Sequence, residues 1–310
     1  MKIEKLSSTR SALLTLLAAQ FIWGTLPVYW KSLQGVPVDQ ILANRIIWSW
    51  LLVMLYLLFG QRRKDIFKNI FRKENWRFFI LGIILSSNWL IYVHAIHIEE
   101  ILQGSLGYYI CPLLTVFLAR VLLKERLDML QAAAVALGVV AVTILTVSYG
   151  RVPLIALVVA GTFAIYGLIK KQVAHDAAYG FFLELTVVFP FAVAYLLYLA
   201  LGQGEALYAG QSALENTLLV GTGLITALPL ILFAYGVQRM PLVTSGFLQY
   251  LSPSMTLVIG LCYGEVFSTA HLITFGLIWV ALLIFSYSQI RMHRRRAQLR
   301  LESQKPESKG

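Results

Sequence analysis

The chain has 310 residues, of which 58% are hydrophobic and 13% charged. Ordinary soluble domains carry roughly 25% charged residues, so this chain lacks the groups to cover a core of its size with a water-facing surface. Its net charge of +11 comes from cations that flank apolar stretches, which points to a membrane rule rather than to nucleic acid.

Lys2, Lys5 and Arg10 precede an apolar run that continues through Trp23 to Trp30. Signal peptides begin this way, but Ala18-Ala19-Gln20 is a poor cleavage site, so an uncleaved first span is expected. A helix needs about 20 mostly apolar residues to cross the hydrocarbon core. Ten segments meet that requirement: 11–30, 39–60, 77–97, 101–122, 129–148, 152–170, 179–200, 216–237, 242–263 and 270–290. They are apolar nearly all round and lack the alternation of a membrane barrel. The longest connections, 61–76 and 201–215, have no room for a soluble domain. With the N-terminus in the cytoplasm, 23 of the 26 Lys and Arg fall on that side, only Lys31 and Arg151 fall outside, and Arg45 lies within a span. That bias predicts an even number of spans with both termini cytoplasmic. The two cysteines, Cys111 and Cys262, lie in apolar stretches and read as packed small hydrophobes.

The chain also echoes itself. Tyr109, Pro112 and Thr115 in the fourth span match Tyr250, Pro253 and Thr256 in the ninth at one fixed offset. Glu125 follows the first proline and Glu265 the second at nearly the same distance. Phe21-Ile-Trp-Gly24 has a counterpart in Ile165-Tyr-Gly167. A duplication of five spans is odd-numbered, so the second copy enters the membrane from the opposite side. The expected organisation is a cytoplasmic tail at 1–10, a first repeat at 11–148, a second at 152–290 and a basic cytoplasmic tail at 291–310. Inverted repeats of this kind commonly meet near the midplane and rock around a substrate.

Ser87-Asn-Trp-Leu90, Ser105-Leu-Gly-Tyr-Tyr-Ile-Cys-Pro112 and Gly246-Phe-Leu-Gln-Tyr-Leu-Ser-Pro253 together resemble the RarD-type branch of the EamA transporters, in the drug/metabolite transporter superfamily. Phe21-Ile-Trp-Gly24, Asn44-Arg-Ile-Ile-Trp-Ser49 and Tyr263-Gly-Glu265 extend the resemblance over nearly the whole chain. It implies an all-α integral membrane fold: ten transmembrane helices as two inverted five-helix EamA repeats around a central cavity. It also implies a bacterial inner-membrane location and permease or export activity. RarD-type proteins are linked by name to chloramphenicol sensitivity, and the superfamily handles amino acids, nucleosides, sugars and drugs, so the resemblance fixes no substrate.

Ionisable groups at mid-membrane cost about 2.5–3.5 kcal/mol on insertion scales, so Arg45 and Glu184 ask for a partner. They occupy corresponding places in spans 2 and 7 and are expected to meet as an ion pair or gate, the alternative being that each reaches for its nearer interface. Pro112 and Pro253 are expected to interrupt helices 4 and 9. Tyr108, Tyr109, Gln249 and Tyr250, within a turn of them, would line a pocket or pack at the kink. Asn88 would bond a neighbouring helix or the substrate; Trp89 and Trp23 would face the same cavity. Trp30, Trp76 and Trp279 read as interfacial or lipid-facing. His94 and His97, with Glu99 and Glu100, are only a weak match to any metal motif and read first as polar residues meeting water, with proton sensing as an alternative; no metal or other cofactor is expected. The chain has neither a phosphate-binding Gly-rich loop with Lys-Ser/Thr nor a hydrolase motif. By exclusion, uphill movement would draw on an ion gradient, with the proton as the expected coupling ion. The expected partners are a small-molecule substrate and the lipid bilayer, not nucleic acid; the sequence leaves the oligomeric state open. Two other readings stay open, a membrane scaffold or receptor and an intramembrane enzyme, though no catalytic set is recognisable.

Overall fold

The computed structural model of the protein describes residues 2–59, 70, 72–97, 101–150, 152–173, 176–202, 211–264 and 268–302, with side chains described throughout these except at 2–9, 96–97, 101–105 and 293–302. Among the described residues the structure is helical, with no strand. In chain order the helices are α1 (Lys2–Lys31), α2 (Val38–Phe59), α3 (Trp76–His97), α4 (Ile101–Leu122), α5 (Met129–Tyr149) and α6 (Leu154–Gln172). There follow α7 (Ala177–Leu197) with a π turn at Tyr198–Gly202, α8 (Ala213–Arg239), α9 (Leu242–Leu248), α10 (Leu251–Cys262) and α11 (Thr269–Glu302). Nine described helical stretches are long and apolar enough to cross a membrane, and Leu106–Leu122 within α4 is a shorter apolar one. The ten expected spans are present, the ninth being split into α9 and α10.

Local chemistry sets several ends. Asp128 accepts from the Gln131 N–H at 2.7 Å while the Gln131 side chain accepts from the Asp128 N–H at 3.1 Å, a capping box that starts α5. Gly150, at φ 80°, closes the same helix in the left-handed conformation that glycine adopts without penalty. Ser212 and Glu215 form a second capping box at α8, and Asp176 caps α7 through the Tyr179 N–H at 2.9 Å.

The helices form two compact units. The first holds residues 1–123 and 153–266; the second holds 124–152 and 267–310. This spatial division cuts across the sequence halves: the first unit takes four spans from each half, the second the last span of each. Within the first unit, α2 packs on α7. So does α4 on α9, its own counterpart, and the other extensive pairings come in matched sets: α3 on α7 with α2 on α8, α3 on α6 with α1 on α8, and α4 on α6 with α1 on α10. Exchanging each span for its counterpart five spans later turns each pair into its mate. That is the contact pattern of two halves related by a twofold axis. Five is odd, so counterparts run in opposite directions, and the repeats are inverted.

Glycines let these helices touch. A Cβ on Gly82 of α3 would lie 2.1 Å from the Glu184 carbonyl oxygen of α7, and one on Gly223 of α8 would lie 2.5 Å from the Trp48 carbonyl carbon of α2. The two contacts join counterpart helix pairs, α3 with α7 and α8 with α2.

The second unit pairs α5 with α11. Ser288 of α11 donates to the Asp128 carboxylate, and Thr274 donates to the Ala141 carbonyl at 3.0 Å. Desolvation pushes the Asp128 carboxyl up. Hydrogen bonds from Ser288, Gln131 and Leu130, with Arg291 nearby, outweigh it and hold the group below the usual carboxylate range. Its stabilisation is therefore complete above the unfolded value of about 3.9 and lost as pH falls through the lower folded value. Asp128→Ala is expected to cost about 1 kcal/mol at neutral pH and less in acid. Hydrogen exchange of the first turn of α5 across pH measures this, and equal exchange in both proteins at pH 7 would refute it.

Two expectations change. Pro112 does not interrupt its helix: α4 runs unbroken past it, as α1, α7 and α8 do past Pro27, Pro190 and Pro229. A proline removes one N–H and frees the carbonyl four residues earlier, here that of Tyr108; in a membrane helix neighbouring packing tolerates such a group. The ninth span does break, at Gln249–Tyr250, just ahead of Pro253. Cys111 is buried as expected, but Cys262 is exposed, and both are free thiols.

Candidate functional site

Inside the first unit, α2 and α7 are counterparts that pack together and run antiparallel. Arg45 and Glu184 are each the eighth residue of their helix. They therefore sit toward opposite ends of the unit and do not meet. The expected Arg45–Glu184 pair is corrected on this point: Glu184 is held by Lys170 and Tyr166 and Arg45 by Thr226, on opposite sides of the unit's middle.

Arg45 instead lies among rings. Its guanidinium carbon is 4.7 Å from the Trp89 ring centroid and 5.3 Å from that of Trp30. Its Nε donates to Thr226 Oγ1 of α8 at 3.0 Å. Tyr92 and Tyr108 stack edge to face at 5.7 Å, with their hydroxyls in electrostatic range of the guanidinium. Four helices thus converge on Arg45. Tyr108 is 50% exposed even so, so the protein leaves one side of this cluster uncovered. Trp30, read from sequence as interfacial, belongs to this cluster. Trp76 and Trp279 are exposed at the helix surface.

Glu184 is held at the other end. Its Oε1 is 2.5 Å from Lys170 Nζ of α6, and its Oε2 accepts from the Tyr166 hydroxyl at 3.0 Å. Both charged side chains are fully buried. The Phe78 and Tyr166 rings lie 5.9 and 5.7 Å from the ammonium. Lys170 was missed in the sequence because it ends an apolar run and reads as a loop cation. The usable signal was its place one turn after Tyr166, which puts both on one helix face.

Between the ends, Trp23 packs against Phe163 and Phe233, with centroids 5.8 and 5.5 Å away. Phe163 in turn touches Tyr166 at 5.7 Å. Trp23 therefore belongs to the Glu184 side of the unit and shares no ring contact with Trp89. The break in the ninth span presents Gln249, whose Oε1 accepts from the Cys111 thiol at 3.3 Å. Tyr250 is 1% exposed, and its hydroxyl has no hydrogen-bond partner among the described residues. Tyr109 is buried, facing away from its exposed neighbour Tyr108.

Asn88 takes the inter-helix role: its amide donates to the Val159 carbonyl at 2.7 Å and to Thr162 Oγ1 at 2.8 Å, both on α6. Asn88→Leu is expected to lower stability by about 1 kcal/mol, given roughly 0.6 kcal/mol per bond of this kind, as measured by thermal unfolding in detergent. An unchanged melting temperature would show that the bonds contribute nothing net.

His94 is exposed; the His97 side chain, Glu99, Glu100 and Glu265 fall outside the described residues. Among the described residues no three His, Cys, Asp or Glu side chains gather as metal ligands.

The EamA-like transporter family matches residues 10–147, which span α1 to α5. The chain is 41% identical to "Uncharacterized transporter YojE" of Bacillus subtilis (strain 168), covering 89% of this chain and 94% of that protein. It is 35% identical to "Protein RarD" of Escherichia coli (strain K12), covering 93% and 97%. It is 30% identical to "Chloramphenicol-sensitive protein RarD" of Pseudomonas aeruginosa, covering 91% and 95%. A solved crystal structure aligns with a TM-score of 0.68 over 91% of this chain and 99% of its own, at 18% identity, a likeness of fold alone. Ten apolar helices in inverted halves, matched by relatives that cover almost the full length, make the chain a multi-pass membrane protein that belongs to the EamA-like transporter family, in its RarD-type branch.

Proposed function

We propose that the protein is a secondary transporter that carries a small metabolite or drug-like molecule across the bacterial inner membrane by alternating access, in the export direction. Both termini face the cytoplasm in this reading, so the Lys170–Glu184 end is cytoplasmic and the Arg45 end is external. The substrate moves between α1, α3, α4, α6, α8 and the broken ninth span, coupled to a proton.

One observation carries the reading. Repeat-equivalent positions 45 and 184 hold charged groups on opposite sides of one unit, and one is left partly uncovered by the protein while the other is sealed in a buried ion pair. Alternating access needs two such ends, one closed while the other is open. Interconversion would open the ion pair and close the ring cluster around Arg45.

Purified protein in liposomes should accumulate at least one compound from a metabolite and drug library, more strongly with a pH gradient. Tyr250→Phe gives a sharper test. An orphaned buried hydroxyl costs about 1–3 kcal/mol, so removing it should leave the melting temperature equal or higher. A hydroxyl kept at that cost serves a partner present only in another state or with substrate bound. Flux should therefore fall by up to about tenfold, the worth of one hydrogen bond. Full flux in Tyr250→Phe would remove Tyr250 from the pathway, and absence of flux for every compound in a folded protein would favour a scaffold.

A further inference from the structure

A guanidinium inside a spanning segment normally has an acid to neutralise it. Arg45 has none among the described residues. Asp39 accepts from Tyr195, Glu184 holds Lys170, and Glu215 caps α8. The one hydrogen bond of Arg45 uses Nε, on Thr226. Among the described residues its two η-nitrogens have no hydrogen-bond partner, and they are not fully enclosed by the protein. The end-on edge of the fork is left open. It is flanked by the Trp30 and Trp89 rings, with the Tyr92–Tyr108 pair close by.

We infer that Arg45 is the receptor for the carboxylate of an organic monoanion whose body is aromatic or apolar. The inference rests on the transporter reading and names the substrate class of that pathway. A planar fork with two parallel N–H groups matches the two oxygens of a carboxylate. The rings around it provide the apolar walls that small-molecule pockets use. Thr226 fixes the guanidinium plane, so little freedom is lost when the anion docks. The charge count favours a monoanion over a phosphate dianion. Among the described residues the other cation near this end, Lys31, lies 3.6 Å over the Tyr263 ring, which leaves Arg45 as the uncommitted positive charge there.

The test uses full-length protein in detergent at pH 7, with 3-phenylpropionate, its neutral amide and inorganic phosphate as probes. Tryptophan fluorescence reports on Trp30 and Trp89, and calorimetry gives the affinity. The acid should bind at least tenfold more tightly than the amide, and phosphate should not displace it. Arg45→Gln should lose that tenfold preference while binding the amide as before. Arg45→Lys, which keeps the charge and loses the fork, should fall between them; the acid–amide comparison needs no variant. Equal affinity for acid and amide, no binding of the acid, displacement by phosphate, or full acid binding in Arg45→Gln would each overturn the inference. Acid binding without flux in liposomes would support this inference and sink the transport reading. Flux confined to neutral solutes and unchanged in Arg45→Gln would do the reverse.

Discussion

Lys170→Met is expected to destabilise the protein by about 3–5 kcal/mol, the usual cost of removing one partner from a buried ion pair. Adding Glu184→Leu should recover most of that loss. The single change leaves a wholly buried carboxylate with only the Tyr166 hydroxyl for company. The double change leaves no charge, and replacing both partners of such a pair by apolar groups is often neutral or stabilising. Reversing the pair should restore less. Lys170 lies in the last turn of α6, where a cation complements the helix dipole, and a glutamate there opposes it. Thermal unfolding of the four proteins in detergent measures this; a double variant as weak as Lys170→Met would show that packing, not charge pairing, sets the cost. The apolar double variant also separates stability from function. If the ion pair is the part that opens and closes, this protein should fold and still fail to transport. Normal flux would reduce the pair to a structural tie.

Much of this fold was legible in the sequence because the lipid makes the rules few. A span must be long, apolar and helical, and most span ends predicted from hydropathy lie within a few residues of the observed ones. The repeat was legible because Tyr109 and Pro112 recur as Tyr250 and Pro253. The site was less so. Arg45 stood out as a charge in an apolar run, but Trp30, Trp89 and Thr226 come from three other helices, the last 181 residues away. No local period encodes such a convergence. The prolines show a second limit. Pro112 and Pro253 look alike as residues, yet only the second sits at a break, so the residue type alone does not tell the two apart. Lys170 shows a third: two residues from the end of α6, it is a loop cation by sequence and a core residue by packing.

The two close-contact glycines carry the last prediction. Gly82→Ala and Gly223→Ala should each destabilise the first unit by about 1–3 kcal/mol or more, as overpacking does, and should cut transport more than their stability loss explains. The added methyl would meet backbone in both places: the Glu184 carbonyl at 2.1 Å and the Trp48 carbonyl carbon at 2.5 Å. Backbone cannot swing aside as a flexible side chain can, so α3 must move off α7, or α8 off α2. Gly161→Ala is the control, since nothing lies within 4 Å of its added methyl and alanine favours helix by about 1 kcal/mol. It should melt at the same temperature or higher. The two damaging changes differ in direction. Gly82→Ala shifts the helix contact beside Glu184 and should loosen the ion-pair end, whereas Gly223→Ala shifts the contact beside α2 and should disturb the Arg45 end. Cysteine accessibility probes placed at each end would read opposite changes in the two variants. The same change in both would mean that the halves do not act as a symmetric pair, and the proposed exchange between an open and a sealed end would lose its structural basis.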